Sequence, residues 1–170
     1  MASTSTNKQP LLVDRVLHEV IDLAGATVEA TAGLNISGTN SAVLVIDCTT
    51  NDGAIAEDIY AIAREIDTEG GESAYKINIY LSAAADYLRA QQSVYVGSLL
   101  GGTTEGEKTR IADGDLPYIL APMPHTGSTD NKFAALYIPR GKALWAAVEK
   151  KVSTDQAPQA PLLGVQGGYY

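Results

Sequence analysis

The side chains best suited to metal binding or nucleophilic catalysis are few, since His18 and His125 are the only histidines and Cys48 is the only cysteine. These residues form neither a His-x-x-x-His nor a Cys-x-x-Cys pair, so no recognisable zinc spacing is present. A site built from both histidines and a carboxylate stays open as an alternative. Cys48 ends the apolar run 41–48, which favours a small buried thiol over a reactive one. We therefore predict no metal site and no cofactor.

Acyl transfer and phosphate binding also lack their usual motifs. Gly97-Ser98 is not followed by the second glycine of a Gly-x-Ser-x-Gly elbow, which positions a serine nucleophile. The segment 101–106 is glycine-rich, but Lys108-Thr109 stands too far on for a phosphate loop and follows the negatively charged Glu107. The candidate acids of a hydrolase, which show no spacing typical of an acid–base pair, are Asp47, Glu57 and Asp86. The sequence therefore predicts no catalytic residues and a protein that is not an enzyme.

Charge is distributed unevenly along the 170 residues, whose net charge is −8. Residues 14–72 contain twelve acids and two bases, whereas residues 73–170 contain eight acids and nine bases. An acidic first half repels phosphate, so we expect no nucleic-acid partner. The acidic surface favours either simple solubility or contact with a basic protein surface. No apolar run has the length of a membrane span and the N-terminus does not resemble a signal peptide, so we expect no membrane and assembly in a cytoplasm.

Composition and short apolar runs indicate one globular domain with extended ends. Residues 1–10 are polar and end at a proline, which predicts a flexible arm. Residues 11–150 contain about ten short runs rich in β-branched residues, separated by turn signals, which predict an antiparallel β-sandwich of jelly-roll type. Residues 83–91 predict one short helix. Residues 151–170 are predicted to be a linker followed by a C-terminal segment that docks.

Two segments carry more specific expectations. In 53–67 the isoleucines recur at helical spacing, but the following run 74–81 alternates cleanly, so we favour a hairpin and keep a short helix as the alternative. The runs 133–139 and 143–148 flank Arg140-Gly141-Lys142, which predicts two strands around a tight turn with Trp145 in the core.

The two ends of the chain are the candidate contact elements. The segment 162–170 is more apolar than a free tail and ends in two tyrosines, so we expect it to dock on its own domain or on a neighbour. Nine tyrosines against one phenylalanine favour half-buried positions in a sheet or an interface. The predicted protein-contact residues are Pro10, Leu11, Leu12, Leu162, Leu163, Val165, Tyr169 and Tyr170.

Four stretches together resemble a class of small β-sandwich virion proteins of tailed bacteriophages. They are the strand 38–47, which begins Gly-Thr-Asn-Ser, the strand Ile77-Asn-Ile-Tyr-Leu81, the stretch 116–120, and the closing 136–145, in which Pro139 and Gly141 lead into the last strand. The resemblance covers roughly residues 34–148 and consists of strand and turn patterns without catalytic signatures. The acidic segment before 74 and the Gly-Tyr-Tyr end are not part of the pattern.

The resemblance implies a capsid cement or decoration protein that bridges and stabilises capsomers, and hence a location in the virion. Its implied partners are the major capsid protein or other virion proteins, and it implies a homo-oligomer. A head–tail neck or tail ring component is the alternative within this class. A carbohydrate- or small-ligand-binding β-sandwich, with exposed tyrosines and Trp145 as stacking surfaces, is the alternative from another class.

Overall fold

A computed structural model describes residues 15–23, 27–28, 42–64, 75–83, 94–102, 104–110, 120–122, 134–150 and 160–170. Within these ranges the chain is all-β, with eleven strands and no helix. The predicted arm 1–10 lies outside the described residues, as do the predicted contact residues Leu11 and Leu12 and the predicted helix 83–91 beyond Ala83. No helix of the described part has the length and hydropathy needed to cross a membrane.

The strands are short and follow the β-branched and aromatic runs of the sequence. Their bounds are β1 Arg15–Asp22, β2 Thr27–Val28, β3 Val43–Asp47, β4 Gly53–Ile62, β5 Tyr75–Ser82, β6 Val94–Leu100, β7 Lys108–Arg110, β8 Leu120–Pro122, β9 Ala134–Pro139, β10 Ala143–Lys150 and β11 Leu162–Tyr169.

The strands form two sheets. The first sheet has the order β1-β11-β4-β9-β8, and β7 pairs with β4 beyond the end of β9. The second sheet has the order β2-β10-β5-β6, and β3 pairs with β10 on the same edge as β2. All pairs are antiparallel except the two-residue pairing of β2 with β10.

Both sheets contribute to one hydrophobic core. Leu17, Leu163 and Ala54 enter it from the first sheet, whereas Ile77 and Leu144 enter it from the second. On each strand these buried residues alternate with residues of the opposite face, as the pleat requires. The first sheet is therefore apolar towards the core and leaves its other face, called here the outer face, for solvent or partners.

The segment 53–67, for which a helix was the alternative, is a strand through Ile62. The isoleucines that suggested a helix do not share one face of the structure. Ile59 lies in the core, whereas Ile55 and Ile62 lie outside it. The register with β11 shifts at Glu57, so β4 contains a β-bulge there. A strand that changes phase at a bulge can place residues four apart on opposite faces.

The predicted hairpin between 53–67 and 74–81 is wrong. β4 pairs with β11, β9 and β7 in the first sheet, whereas β5 pairs with β10 and β6 in the second. Both stretches alternate well enough to pair, but β4 finds its partners far along the chain, whereas β5 pairs with the next strand, β6, and with the distant β10. Alternation in the local sequence predicts that a segment forms a strand, but it does not identify the strand with which that segment pairs.

The tight turn around Gly141 is confirmed, since Gly141 has a φ of 79°. This turn connects strands of opposite sheets, because β9 belongs to the first sheet and β10 to the second. Trp145 is buried as predicted, with only 4% of its surface exposed. It lies in a second small cluster with Tyr80, on the face of the second sheet that points away from the main core.

The C-terminal segment, for which docking on its own domain or on a neighbour was left open, is a strand of the chain's own first sheet. β11 lies between β1 and β4 and pairs with both along its length. The first sheet therefore includes residues beyond the boundary placed at 150 from the sequence.

Candidate protein-contact surface

The outer face of the first sheet is built from residues that alternate with the core positions of β1, β11, β4 and β9. On β1 the outward residues are Val16, His18, Val20 and Asp22, because Leu17 faces the core. The cross-strand register arranges the outward residues of neighbouring strands in rows across the face. The chemical character of the rows alternates between apolar and polar.

An apolar row crosses four neighbouring strands, β1, β11, β4 and β9. Val16 opposes Gly168, Gly168 opposes Ile55, and Ile55 opposes Tyr137. Val16 is 77% exposed and Tyr137 is 40% exposed. Large exposed apolar side chains in one row are more informative than isolated ones, because contiguous apolar patches mark interaction surfaces.

Tyr170 extends this row at the β9 side. Its ring centroid lies 6.1 Å from that of Tyr137, at an interplanar angle of 49°. Its backbone N–H donates a hydrogen bond to the carbonyl oxygen of Gly53 at 3.1 Å. Burial raises the pKa of the Tyr170 hydroxyl, and Tyr137 and Glu57 add to the shift. Tyr170 is thus a neutral aromatic side chain fixed at the rim of the row.

A polar row follows. The Nε2 atom of His18 lies 3.3 Å from the Nε2 atom of Gln166. Gln166 opposes Asp58 on β4. One carboxylate oxygen of Asp58 accepts a hydrogen bond from Nε of Arg110 at 3.2 Å and forms an ion pair with Nη2 of the same guanidinium at 3.1 Å. The ammonium group of Lys108 lies 3.8 Å from the same oxygen. One carboxylate is therefore balanced by two cations, which hold β7 against β4.

A third row contains an aromatic ring that fills the space above a glycine. Val20 opposes Gly164, and Gly164 opposes Tyr60. A Cβ atom added to Gly164 would lie 2.2 Å from the Tyr60 ring, so the ring occupies the volume that a side chain at position 164 would need. The Nζ atom of Lys108 lies 3.4 Å from the ring centroid on Tyr60, which is a cation–π geometry. The ring is therefore held in place over the glycine.

The eight predicted contact residues do not form one surface. Leu163 and Val165 are fully buried in the core, where a partner does not reach them. Leu162, Tyr169 and Tyr170 are partly exposed. Tyr169 is placed at the margin of the core beneath the Arg15 guanidinium, whose carbon lies 4.3 Å from the ring centroid. The remaining three, Pro10, Leu11 and Leu12, are outside the described ranges.

The described residues that could carry chemistry lie in different places in the fold. His18 and Glu57 are exposed on the first sheet, whereas Asp47 ends β3 in the second. The carboxylate of Asp47 accepts hydrogen bonds from the backbone and the hydroxyl of Thr49, which fits a turn. His125 and Asp86 lie outside the part of the chain that the structure describes. In that part no group of three or more His, Cys, Asp or Glu residues is arranged to hold a metal ion.

Cys48 is fully buried, as its place in an apolar run predicted. Burial raises the pKa of its thiol to about 11, and the negative charge of Asp47 adds to the shift. A thiol that is protonated and inaccessible is a poor nucleophile.

Sequence analysis missed Val16, Val20 and Tyr137 as contact candidates. A signal was present in β1, since Val16, His18, Val20 and Asp22 alternate with Leu17 and Ile21. Alternation alone does not reveal which of two partly apolar faces is buried, and here the face with valines is the exposed one.

Comparison with protein-family models finds no match, and comparisons with curated proteins and with solved structures find none either.

Proposed function

We propose that this protein is a structural protein that works by binding other protein surfaces, and that it is a capsid cement or decoration protein of a bacteriophage virion. The observation that carries the protein-binding part is the apolar row Val16–Ile55–Tyr137 on the outer face of the first sheet, in which Val16 and Tyr137 are exposed and Ile55 is half-buried. The virion part rests on the resemblance of the strand and turn patterns in 34–148. The proposed partners are the major capsid protein or other virion proteins.

The proposed architecture is a β-sandwich of jelly-roll type. Support comes from the common core of the two sheets, to which Leu17 and Leu163 contribute from one sheet and Ile77 and Leu144 from the other. A rigid sandwich suits a cement role, because it presents a broad sheet face in a fixed shape to a neighbouring subunit.

The ligand-binding alternative loses the side chain on which it most depended. In that alternative Trp145 supplies the surface on which a ligand stacks. The side chain is only 4% exposed and packs with Tyr80 and Ala143. A buried indole ring cannot stack on a sugar. We therefore favour a protein partner over a carbohydrate or small ligand.

The test is immunogold electron microscopy of phage particles purified from a lysate in which the chain is detected, using antibodies raised against the purified chain. We expect regular label over the capsid exterior. Label confined to the neck or tail would replace the cement role by the neck or tail ring alternative. Particles without label, in a culture whose lysate contains the chain, would overturn the virion proposal.

A further inference from the structure

The strand β1 forms one edge of the first sheet, and most of its side chains are exposed to solvent. It pairs with β11 throughout, and no described strand pairs with its other edge. All its residues are exposed except Leu17 and Ile21. A long edge strand with exposed apolar side chains is a template for pairing with another strand. We propose that two copies of this chain pair antiparallel through β1, so that their first sheets become one continuous sheet.

The register of this pairing follows from symmetry. A two-fold axis perpendicular to the sheet places residues of the same face opposite each other. With the axis at His18, Val16 of each copy opposes Val20 of the other, and the two His18 side chains meet at the axis. The exposed valines then cover each other in two cross-strand pairs on the outer face.

The same register brings opposite charges together on the other face of β1. Arg15 of one copy lies diagonal to Glu19 of the second copy, at a separation that long side chains can bridge. Both residues are exposed in the single chain, and symmetry produces the pair twice. Moving the axis to Glu19 would place two glutamates opposite each other, and moving it to Leu17 would separate the valines. An axis at Leu17 would place Arg15 directly opposite Glu19, so charge alone does not distinguish it from an axis at His18. The apolar contact between the valines selects the register centred at His18.

Three other marginal strands, β6, β8 and β2, are less suited to self-pairing. β6 has exposed Val94 and Leu100 but no charged residue to fix a register. The hydroxyl of Thr109 already donates a hydrogen bond to the carbonyl of Leu100 at 2.6 Å. β8 has three residues and ends at Pro122, and β2 has only two residues. The inference goes beyond the proposed function, because pairing through β1 requires no capsid partner.

Disulfide cross-linking tests the register directly. Residues opposite each other in an antiparallel pair have Cα atoms about 4.5–5.5 Å apart, which is within the range of a disulfide. We expect H18C to give a covalent dimer on mild oxidation, and V16C mixed with V20C to give one as well. V16C alone should not cross-link, because the two copies of position 16 would be at least about 13 Å apart. E105C, in an exposed turn, measures random collision, and the unaltered chain with its buried Cys48 is the blank.

Sedimentation equilibrium of the full chain tests the contact itself. We expect a monomer–dimer equilibrium that V16K/V20K weakens at least tenfold, because lysines would then oppose each other across the axis. V94K is the matched control, since Val94 is an exposed valine on the margin of the other sheet. Circular dichroism checks that each variant keeps its fold.

Three results would overturn the inference: a full chain that stays monomeric at high micromolar concentration, a dimer that V16K/V20K leaves intact, or H18C that cross-links no faster than E105C. None of them bears on the labelling of phage particles, so failure of this inference and failure of the proposed function are distinguishable.

Discussion

At the scale of single residues, Gly164 and Tyr60 show how the outer face of the first sheet is shaped. The ring takes the space above the glycine, and Lys108 covers its other side. Tyr60 is consequently 5% exposed although it is directed away from the core. This packing requires both the absence of a side chain at Gly164 and the large ring of Tyr60.

We expect G164A to lower the free energy of unfolding by about 1–3 kcal/mol, because the new methyl group displaces the ring. In a Y60A background the same change should be neutral or stabilising by up to about 1 kcal/mol, since alanine is favoured over glycine in a strand. Urea unfolding of the four chains of this double-mutant cycle measures the coupling. Additive effects would mean that the ring and the glycine do not compete for space.

Gly167 should be less tolerant than Gly164. A Cβ atom there would overlap the backbone oxygen of Ile55, which cannot rotate away as a ring can. We expect G167A to lower the free energy of unfolding by more than G164A, beyond about 3 kcal/mol. The same urea measurements compare the two variants. A smaller loss for G167A would show that the bulge at Glu57 adjusts easily.

Cys48 predicts a pH dependence of stability. Its thiol has a pKa of about 11 in the folded chain and an ordinary value of 9.0, so the unfolded chain loses this proton first as pH rises. The free energy of unfolding should therefore fall between pH 9 and 11, by about 2–3 kcal/mol for this group. C48A removes the contribution, so the difference in urea stability between the two chains should shrink over this pH window. A constant difference would contradict a buried, protonated thiol.

At the scale of elements, β11 is the central connection of the first sheet. It pairs with β1 on one side and β4 on the other, and Leu163 and Val165 are fully buried. β1 has no other described partner, so its place in the sheet depends on β11. The C-terminal segment is thus an integral part of the fold and not an appendage.

We expect a chain truncated after residue 161 to lose cooperative unfolding, because the core loses two buried aliphatic side chains and β1 loses its neighbour. Near-ultraviolet circular dichroism and thermal melting measure this loss. A chain lacking only Tyr170 is the control, and it should retain a cooperative transition. A cooperative, native-like chain without residues 162–170 would contradict the central place of β11.

At the scale of the whole molecule, the first and last described strands are neighbours. β1 pairs with β11, so residues more than a hundred positions apart must meet before the first sheet can close. The two sheets also share one core. We infer that neither sheet is stable without the other, because each would expose its core face to water.

Unfolding should therefore occur in one transition. Trp145 is buried in the second sheet, so its fluorescence reports that sheet, whereas far-ultraviolet circular dichroism reports all strands. We expect the two signals to change at the same urea concentration. Two separate midpoints would show that the sheets unfold independently.

The sequence by itself determined the local character of the chain. Alternation and β-branched residues predicted an all-β protein, the run 41–48 predicted a buried thiol at Cys48, and Arg140-Gly141-Lys142 predicted a tight turn, because these properties depend on neighbouring residues. Pairing was decided only in the tertiary structure. β4 and β5 each alternate correctly but belong to different sheets, since many strands satisfy the same pattern and the common core selects among them. Exposure of Val16 and Val20 was likewise decided there, because both faces of β1 are partly apolar and only packing determines which one is buried.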